Sequence, residues 1–177
     1  MTDYSVEIKD QLSSDEIKEI FRIGTSSFPR KMRYSPETFL KILKNPRGIR
    51  VLLKNKTKKT AGYISSLPHN EIVGEYSKHD PNLREDSSAL YIESIAAVIP
   101  SKQYLWVYSE LFKRLLIEAR RQGWKKVTMH VRCNLSLIME ERYGISKKYT
   151  VQNWFKFSED FDYIEYLIPE EGDVLKR

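Results

Sequence analysis

The residues best suited to chemistry in this 177-residue chain gather in one strand, turn and helix passage, Leu90 to Ala119. Glu93 is the only acid in the apolar strand Leu90 to Val98. A carboxyl among apolar neighbours is desolvated, which raises its pKa toward the range where it can exchange protons near neutral pH. The strand ends at Pro100, and a long helix begins within the turn Ser101-Lys102-Gln103-Tyr104-Leu105-Trp106-Val107-Tyr108. Free N–H groups at a helix start suit an anion, and Lys102 and Gln103 stand there to help hold one. Yet the turn has no glycine, and Trp106 and Tyr108 bring two large rings to the place where a phosphate would approach the backbone. His130 is a rival for proton transfer, alternating with Thr128 and Arg132 on one face of a later strand. A hydrogen-bonded structural histidine is the commoner outcome in such a position.

Other chemistries find no motif. The sequence has no Gly-x-Ser-x-Gly elbow, no Gly-x-x-x-x-Gly-Lys phosphate loop, and no Cys-x-x-Cys or His-Glu-x-x-His spacing. His69 and His79, with Glu71, Glu75 and Asp80, are spaced too loosely for a metal centre, and no metal is expected. Thirty basic against twenty-four acidic residues give a formal charge of +6 and a pI near 9.2. The cations are scattered, without a stripe of interleaved aromatics, so a solvated surface is expected rather than a nucleic-acid interface.

Stepping from these residues to their supports, Tyr4 to Lys9 alternates as a first strand, and Ser13 with Glu16 forms a capping box opening a helix to about Ser26. Ser35-Pro36 opens a second helix, ended by Asn45-Pro46-Arg47-Gly48. Ile49 to Leu53 and Ala61 to Leu67 form a hairpin, and Pro68 to Ser88 reads as a long polar loop available for substrate contact. Leu90 to Val98, the helix Leu105 to Gln122 and the strand Lys126 to Cys133 make a βαβ unit with parallel strands. On that helix Leu105, Tyr108, Phe112, Leu115 and Ala119 are expected to share the buried stripe, with Trp106 at its rim. Asn134 is placed to cap a short helix ending at Gly144, and Thr150 to Phe157 pairs with Tyr163 to Ile168 as a closing hairpin.

With 41% hydrophobic and 12% aromatic residues the chain is expected to be globular, a single domain over 1–177 with a charged tail at 170–177. Cys133 permits no internal disulfide, reads as a small buried hydrophobe and fits a reducing, cytoplasmic setting. The sequence shows neither a bilayer-length apolar run nor the residue order of a signal peptide.

The element order, the proline-ended strand Leu90 to Pro100 and the Asn134 to Gly144-Ile145 stretch resemble the GNAT superfamily of N-acetyltransferases over nearly the whole chain. The resemblance implies an α/β fold: a central mixed, mostly antiparallel sheet of about seven strands, with strands 4 and 5 parallel, flanked by about four helices. It implies transfer of an acetyl or other acyl group from acetyl-CoA to an amine by direct attack; for the base that this chemistry needs, Glu93 is the candidate as the only acid of its apolar strand. In the family the fourth strand bulges and splays from the fifth, so backbone groups around Ala97 and Val98 would face the pantetheine and thioester carbonyl. Lys102, Gln103, Trp106, Val107, Tyr108 and Asn134 complete the implied cofactor contacts. The family's Gln/Arg-x-x-Gly-x-Gly/Ala loop keeps Gln103, while Trp106 and Tyr108 replace both small residues. Glu140 stands where the family has its acidic tyrosine, and Tyr143 is one residue from Gly144, on another helix face. The implied acceptor is a small-molecule amine or a peptide or protein amine. A homodimer is left open, and no membrane or nucleic-acid partner is implied. Against the enzyme stands a second reading, a catalytically inactive GNAT-fold binding or regulatory module that does not bind CoA normally.

Overall fold

A computed structural model of the protein describes residues 4–175. Its elements run β1 (Tyr4–Lys9), α1 (Ser14–Ser27), α2 (Pro36–Leu43), β2 (Arg50–Asn55), β3 (Thr60–Pro68), α3 (His69–Tyr76), β4 (Ala89–Ala97), α4 (Tyr104–Arg121), β5 (Lys126–Arg132), α5 (Cys133–Tyr143), β6 (Ser146–Val151) and β7 (Phe161–Leu167). The strands form one seven-stranded sheet in the order β1-β2-β3-β4-β5-β7-β6. β4 and β5 run parallel, with Ala89–Tyr91 alongside Lys126–Thr128. β1 with β2, β2 with β3, β5 with β7 and β6 with β7 are antiparallel.

Local signals place the first elements. The Ser13 hydroxyl accepts from the Glu16 N–H at 3.2 Å while the Glu16 carboxylate accepts from the Ser13 N–H at 2.9 Å, so two orphan donors of α1 are satisfied. Ser35 accepts from the Thr38 N–H at 3.1 Å, and Pro36 begins α2 where its missing N–H costs nothing.

The chain divides into two compact units, Met1–Leu67 with Glu93–Glu118, and Pro68–Ile92 with Ala119–Arg177. In the first, Ile20, Ile23, Phe39, Leu43, Leu52, Tyr63 and Ala96 form the core where α1 and α2 lie on the sheet. Gly62 on β3 lets β4 come close, since a Cβ there would stand 2.8 Å from the Ala97 Cβ. In the second, Leu90, Tyr91, Val127, Met129 and Ile164 are buried together with Trp154. Its tail after Pro169 is packed rather than loose: Val174 and Leu175 are buried, and the Tyr166 hydroxyl donates to the Val174 carbonyl at 2.6 Å.

Four expectations are corrected. The supposed loop Pro68 to Ser88 contains α3, because His69, Ile72 and Tyr76 fall three and four residues apart and bury one face. Leu105 is 53% exposed. The buried stripe of α4 is phased by Val107, Leu111 and Leu115, with Phe112, Leu116 and Ala119 beside it; Leu105 lies two residues from Val107, about 200° round the helix. β6 spans Ser146–Val151 rather than Thr150 to Phe157, since Asn153, Phe155, Lys156 and Ser158 take left-handed backbone and turn the chain away from the sheet. Asn134 does not cap α5: Arg132 holds the cap position without a capping bond from its side chain, and Asn134 lies exposed in the first turn. Gly144 ends α5 as expected, at φ 65°, a conformation that favours glycine.

Candidate active site

Glu93 stands on β4, partly exposed yet crowded by protein atoms, and burial pushes its carboxyl up to about 8. The Tyr34 hydroxyl donates to its Oε1. Tyr34 is carried there by the connection between α1 and α2, which is tightened by a 3-10 turn at Arg30–Met32. The Phe28 N–H donates to the Gly24 carbonyl at 3.0 Å and the Met32 N–H to the Pro29 carbonyl at 2.8 Å. The Tyr34 ring then stacks on Phe39, with centroids 6.2 Å apart and planes at 21°. Next along β4, Ser94 bonds Ser65 of β3 at 3.0 Å, which fixes the strand on the other side of the carboxyl. A carboxyl balanced near pH 8 beside a phenol donor is equipped to accept a proton and to be stabilised once ionised.

Ten residues further, the helix start is rebuilt. Trp106 is half-buried, Val107 is fully buried and Tyr108 is half-buried. Burial pushes the Tyr108 phenol up, Tyr104 adds to this, and the Ala97 backbone works the other way. The Val98 N–H donates to the Ala61 carbonyl of β3 at 2.8 Å, while its side chain is 46% exposed. Lys102 is exposed, and the buried Oε1 of Gln103 has no hydrogen-bond partner among the described residues. The polar groups for an anion are present, while the Val98 amide is already taken by the Ala61 carbonyl.

No protein-family model matches the sequence, and no curated protein matches it. Solved structures do match. The ribosomal-protein-S18-alanine N-acetyltransferase from Escherichia coli superposes with a TM-score of 0.66 at 16% identity, over 98% of this chain and 100% of that one. FeeM, an N-acyl amino acid synthase from uncultured soil microbes, gives 0.72 at 14% identity, over 94% of this chain and 91% of that one. Arabidopsis thaliana NAA60, solved in complex with acetyl-CoA, gives 0.69 at 14% identity, over 93% and 100%. The chain has the GNAT fold. At these identities the likeness establishes the fold, and any activity rests on the residues themselves.

Within this GNAT fold Glu93, Ala97, Val98, Lys102, Gln103, Trp106, Val107 and Tyr108 all fall in the first unit, and Asn134 and Glu140 in the second. Glu140 is exposed on α5, where its carbonyl accepts the Gly144 N–H at 2.9 Å. Cys133 is half-buried rather than a core hydrophobe, with its thiol 3.4 Å from the Asp162 carboxylate. Burial and that neighbour push the thiol up, which disfavours its thiolate.

His130 takes the structural role. Its Nε2 is 3.0 Å from Asp80, its Nδ1 is 2.9 Å from the Tyr91 hydroxyl, and its ring stacks 3.8 Å from Trp154. Burial holds the imidazole below its usual range against the pull of Asp80. Burial alone would raise the Asp80 carboxyl, but bonds donated by His130, Tyr149 and the Asn82 N–H outweigh it and hold it below the usual range. One proton arrangement therefore fits: Nε2–H and the Tyr149 hydroxyl donate to anionic Asp80, and the Tyr91 hydroxyl donates to Nδ1. His69 follows the same pattern, with Nε2 3.0 Å from the Arg84 carbonyl and Nδ1 2.9 Å from the Thr128 hydroxyl. No group of three metal-ligating side chains occurs among the described residues, and none of their helices is long and apolar enough to cross a membrane.

Sequence reasoning missed the partners of Tyr34, Asp80 and Tyr149. Tyr34 meets Glu93 across 59 residues of chain and Asp80 meets Tyr149 across 69, separations that no local spacing reveals.

Proposed function

We propose that this protein is a cytoplasmic N-acyltransferase that moves an acetyl or related acyl group from acyl-CoA to an amine by direct attack, with Glu93 as general base. The observation that carries the reading is the Glu93 carboxyl, pushed up to about 8 and met by the Tyr34 hydroxyl. The amine nitrogen attacks the thioester carbonyl carbon, the carbon–sulfur bond breaks, and the thiolate leaves with the electron pair. The proton lost by nitrogen goes to Glu93, and the product amide and free thiol depart. Tyr34 steadies the carboxylate before it takes that proton. The backbone around Ala97 is suited to the acyl-pantetheine arm, and Gln103 and Lys102 are the groups suited to phosphate. By its sequence position, four residues before Gly144, Glu140 is the candidate for the leaving-group acid. The solved GNAT structures include enzymes named for a protein-borne alanine and for N-acyl amino acids, in keeping with an amine acceptor.

The two large rings at the start of α4, Trp106 and Tyr108, both half-buried, favour a second reading, a GNAT-fold module closed to CoA by its own side chains. Millimolar acetyl-CoA separates the two. The enzyme is expected to gain several degrees in melting temperature, about 2.7 kcal/mol of stabilisation where ligand reaches a hundredfold Kd, and the closed module none. In the Trp106→Gly, Tyr108→Gly double variant, CoA binding that appears only after substitution identifies the closed module. Binding present in the parent and lost in the variant shows that the two rings form the site.

A further inference from the structure

We propose that the acceptor delivered to Glu93 carries a carboxylate close to its amine, as an acidic peptide N-terminus or a free amino acid does. This rests on the reading of Glu93 as the base and adds the class of substrate it serves. The connection from Phe28 to Ser35 brings Tyr34 to Glu93 and carries Arg30, Lys31 and Arg33 with no acid among its residues. Arg30 and Arg33 are exposed, and neither forms an ion pair among the described residues. Elsewhere in the same unit Lys9 and Lys54 stand against Glu16, Lys18 against Asp15 and Lys41 against Glu37. Arg33 is also held: its Nε–H donates to the Phe28 carbonyl at 2.7 Å, and its backbone N–H donates to the Arg30 carbonyl at 3.3 Å. A fixed guanidinium with unused terminal donors is the side chain best shaped for bidentate carboxylate binding.

The placement has a chemical consequence for the amine as well. Cations on the connection that carries Tyr34 to Glu93 disfavour the ammonium form, which cannot attack, of an amine that arrives past them, and favour the free amine, which can. A carboxylate on the acceptor offsets the repulsion that the same cations impose on approach. A basic acceptor meets that repulsion without compensation.

The test uses the full chain with acetyl-CoA and four acceptors: peptides beginning Ala-Glu-Glu and Ala-Lys-Lys, free glutamate, and ethanolamine. Thiol release measures transfer and calorimetry measures peptide binding. The acidic peptide is expected to exceed the basic one by about tenfold in kcat/KM, since an exposed attraction for the one is set against an exposed repulsion for the other. Raising salt should shrink that ratio, and the Arg30→Glu, Arg33→Glu double variant should reverse it with its melting temperature kept. Transfer to glutamate but not ethanolamine identifies free amino acids as the source of the carboxylate, and transfer to the acidic peptide alone identifies a polypeptide terminus. Transfer with equal rates for both peptides, or faster for the basic one, overturns the inference and leaves Glu93 as base. Charge-selective peptide binding that the double variant abolishes, without thiol release, supports the inference while overturning the acyltransferase reading. Neither binding nor transfer overturns both.

Discussion

Replacing Glu93 by glutamine is expected to lower kcat for acyl transfer by about two to four orders of magnitude, the usual contribution of a positioned general base, without unfolding the protein. Glutamine keeps the shape and can still accept the Tyr34 hydroxyl bond, so loss of rate reports loss of the proton acceptor. The stability of the variant supplies an independent sign. Because burial raises the Glu93 carboxyl from 4.5 to about 8, the folded chain keeps a proton that the unfolded chain releases across that window. The neutral carboxyl is thus compatible with the fold, and stability is lost as pH rises through about 8. Glutamine cannot ionise. Thermal melting should therefore show the variant as stable as the parent near pH 5 and more stable above pH 8, a site where function is kept at a cost in stability. A variant that melts lower than the parent at alkaline pH would make Glu93 a structural carboxylate.

The largest loss of stability is expected at Asp80, which is fully buried and accepts from His130 at 3.0 Å and Tyr149 at 2.8 Å. Asp80→Ala leaves both donors sealed from water without an acceptor, each costing about 1–3 kcal/mol, so about 3–5 kcal/mol is expected in total once the Asn82 contact is included. For a chain of this length that lowers the melting temperature by about 10 °C. Asp80→Asn retains one acceptor oxygen and should lose less. In the parent, the carboxyl lies below its ordinary 3.8, so its contribution is complete above that value and is lost as pH falls through the folded one. Denaturant unfolding at pH 7 and pH 3 measures both effects. An Asp80→Ala chain within 1 kcal/mol of the parent would show that water already reaches the His130 cluster.

How far the sequence reached depended on the range of each interaction. The ends of α1 and α2 were legible because a serine and its partner three residues on decide them. The parallel pairing of β4 with β5 followed from two apolar strands around one helix. Glu93 was legible as the lone acid of its strand, whereas its donor Tyr34 was hidden in a connection that packing alone brings to β4. α3 escaped because only His69, Ile72 and Tyr76 mark its buried face. The phase of α4 was misread from Leu105, since Val107 is the residue that packing places inward. Trp106 and Tyr108 announced a changed helix start, but only the fold shows both rings half-buried there.

The pH profile of acyl transfer tests Glu93 as base most directly. Thiol release from acetyl-CoA, followed from pH 6 to 10 with the parent and with Glu93→Gln side by side, separates this carboxyl from titration of the acceptor amine itself. A parent rate that climbs about tenfold per pH unit and levels above about 8, with that limb gone and the rate collapsed in the variant, is the predicted result. Thiol release that is absent in the parent, or that follows the same profile at the same rate in Glu93→Gln, would contradict it.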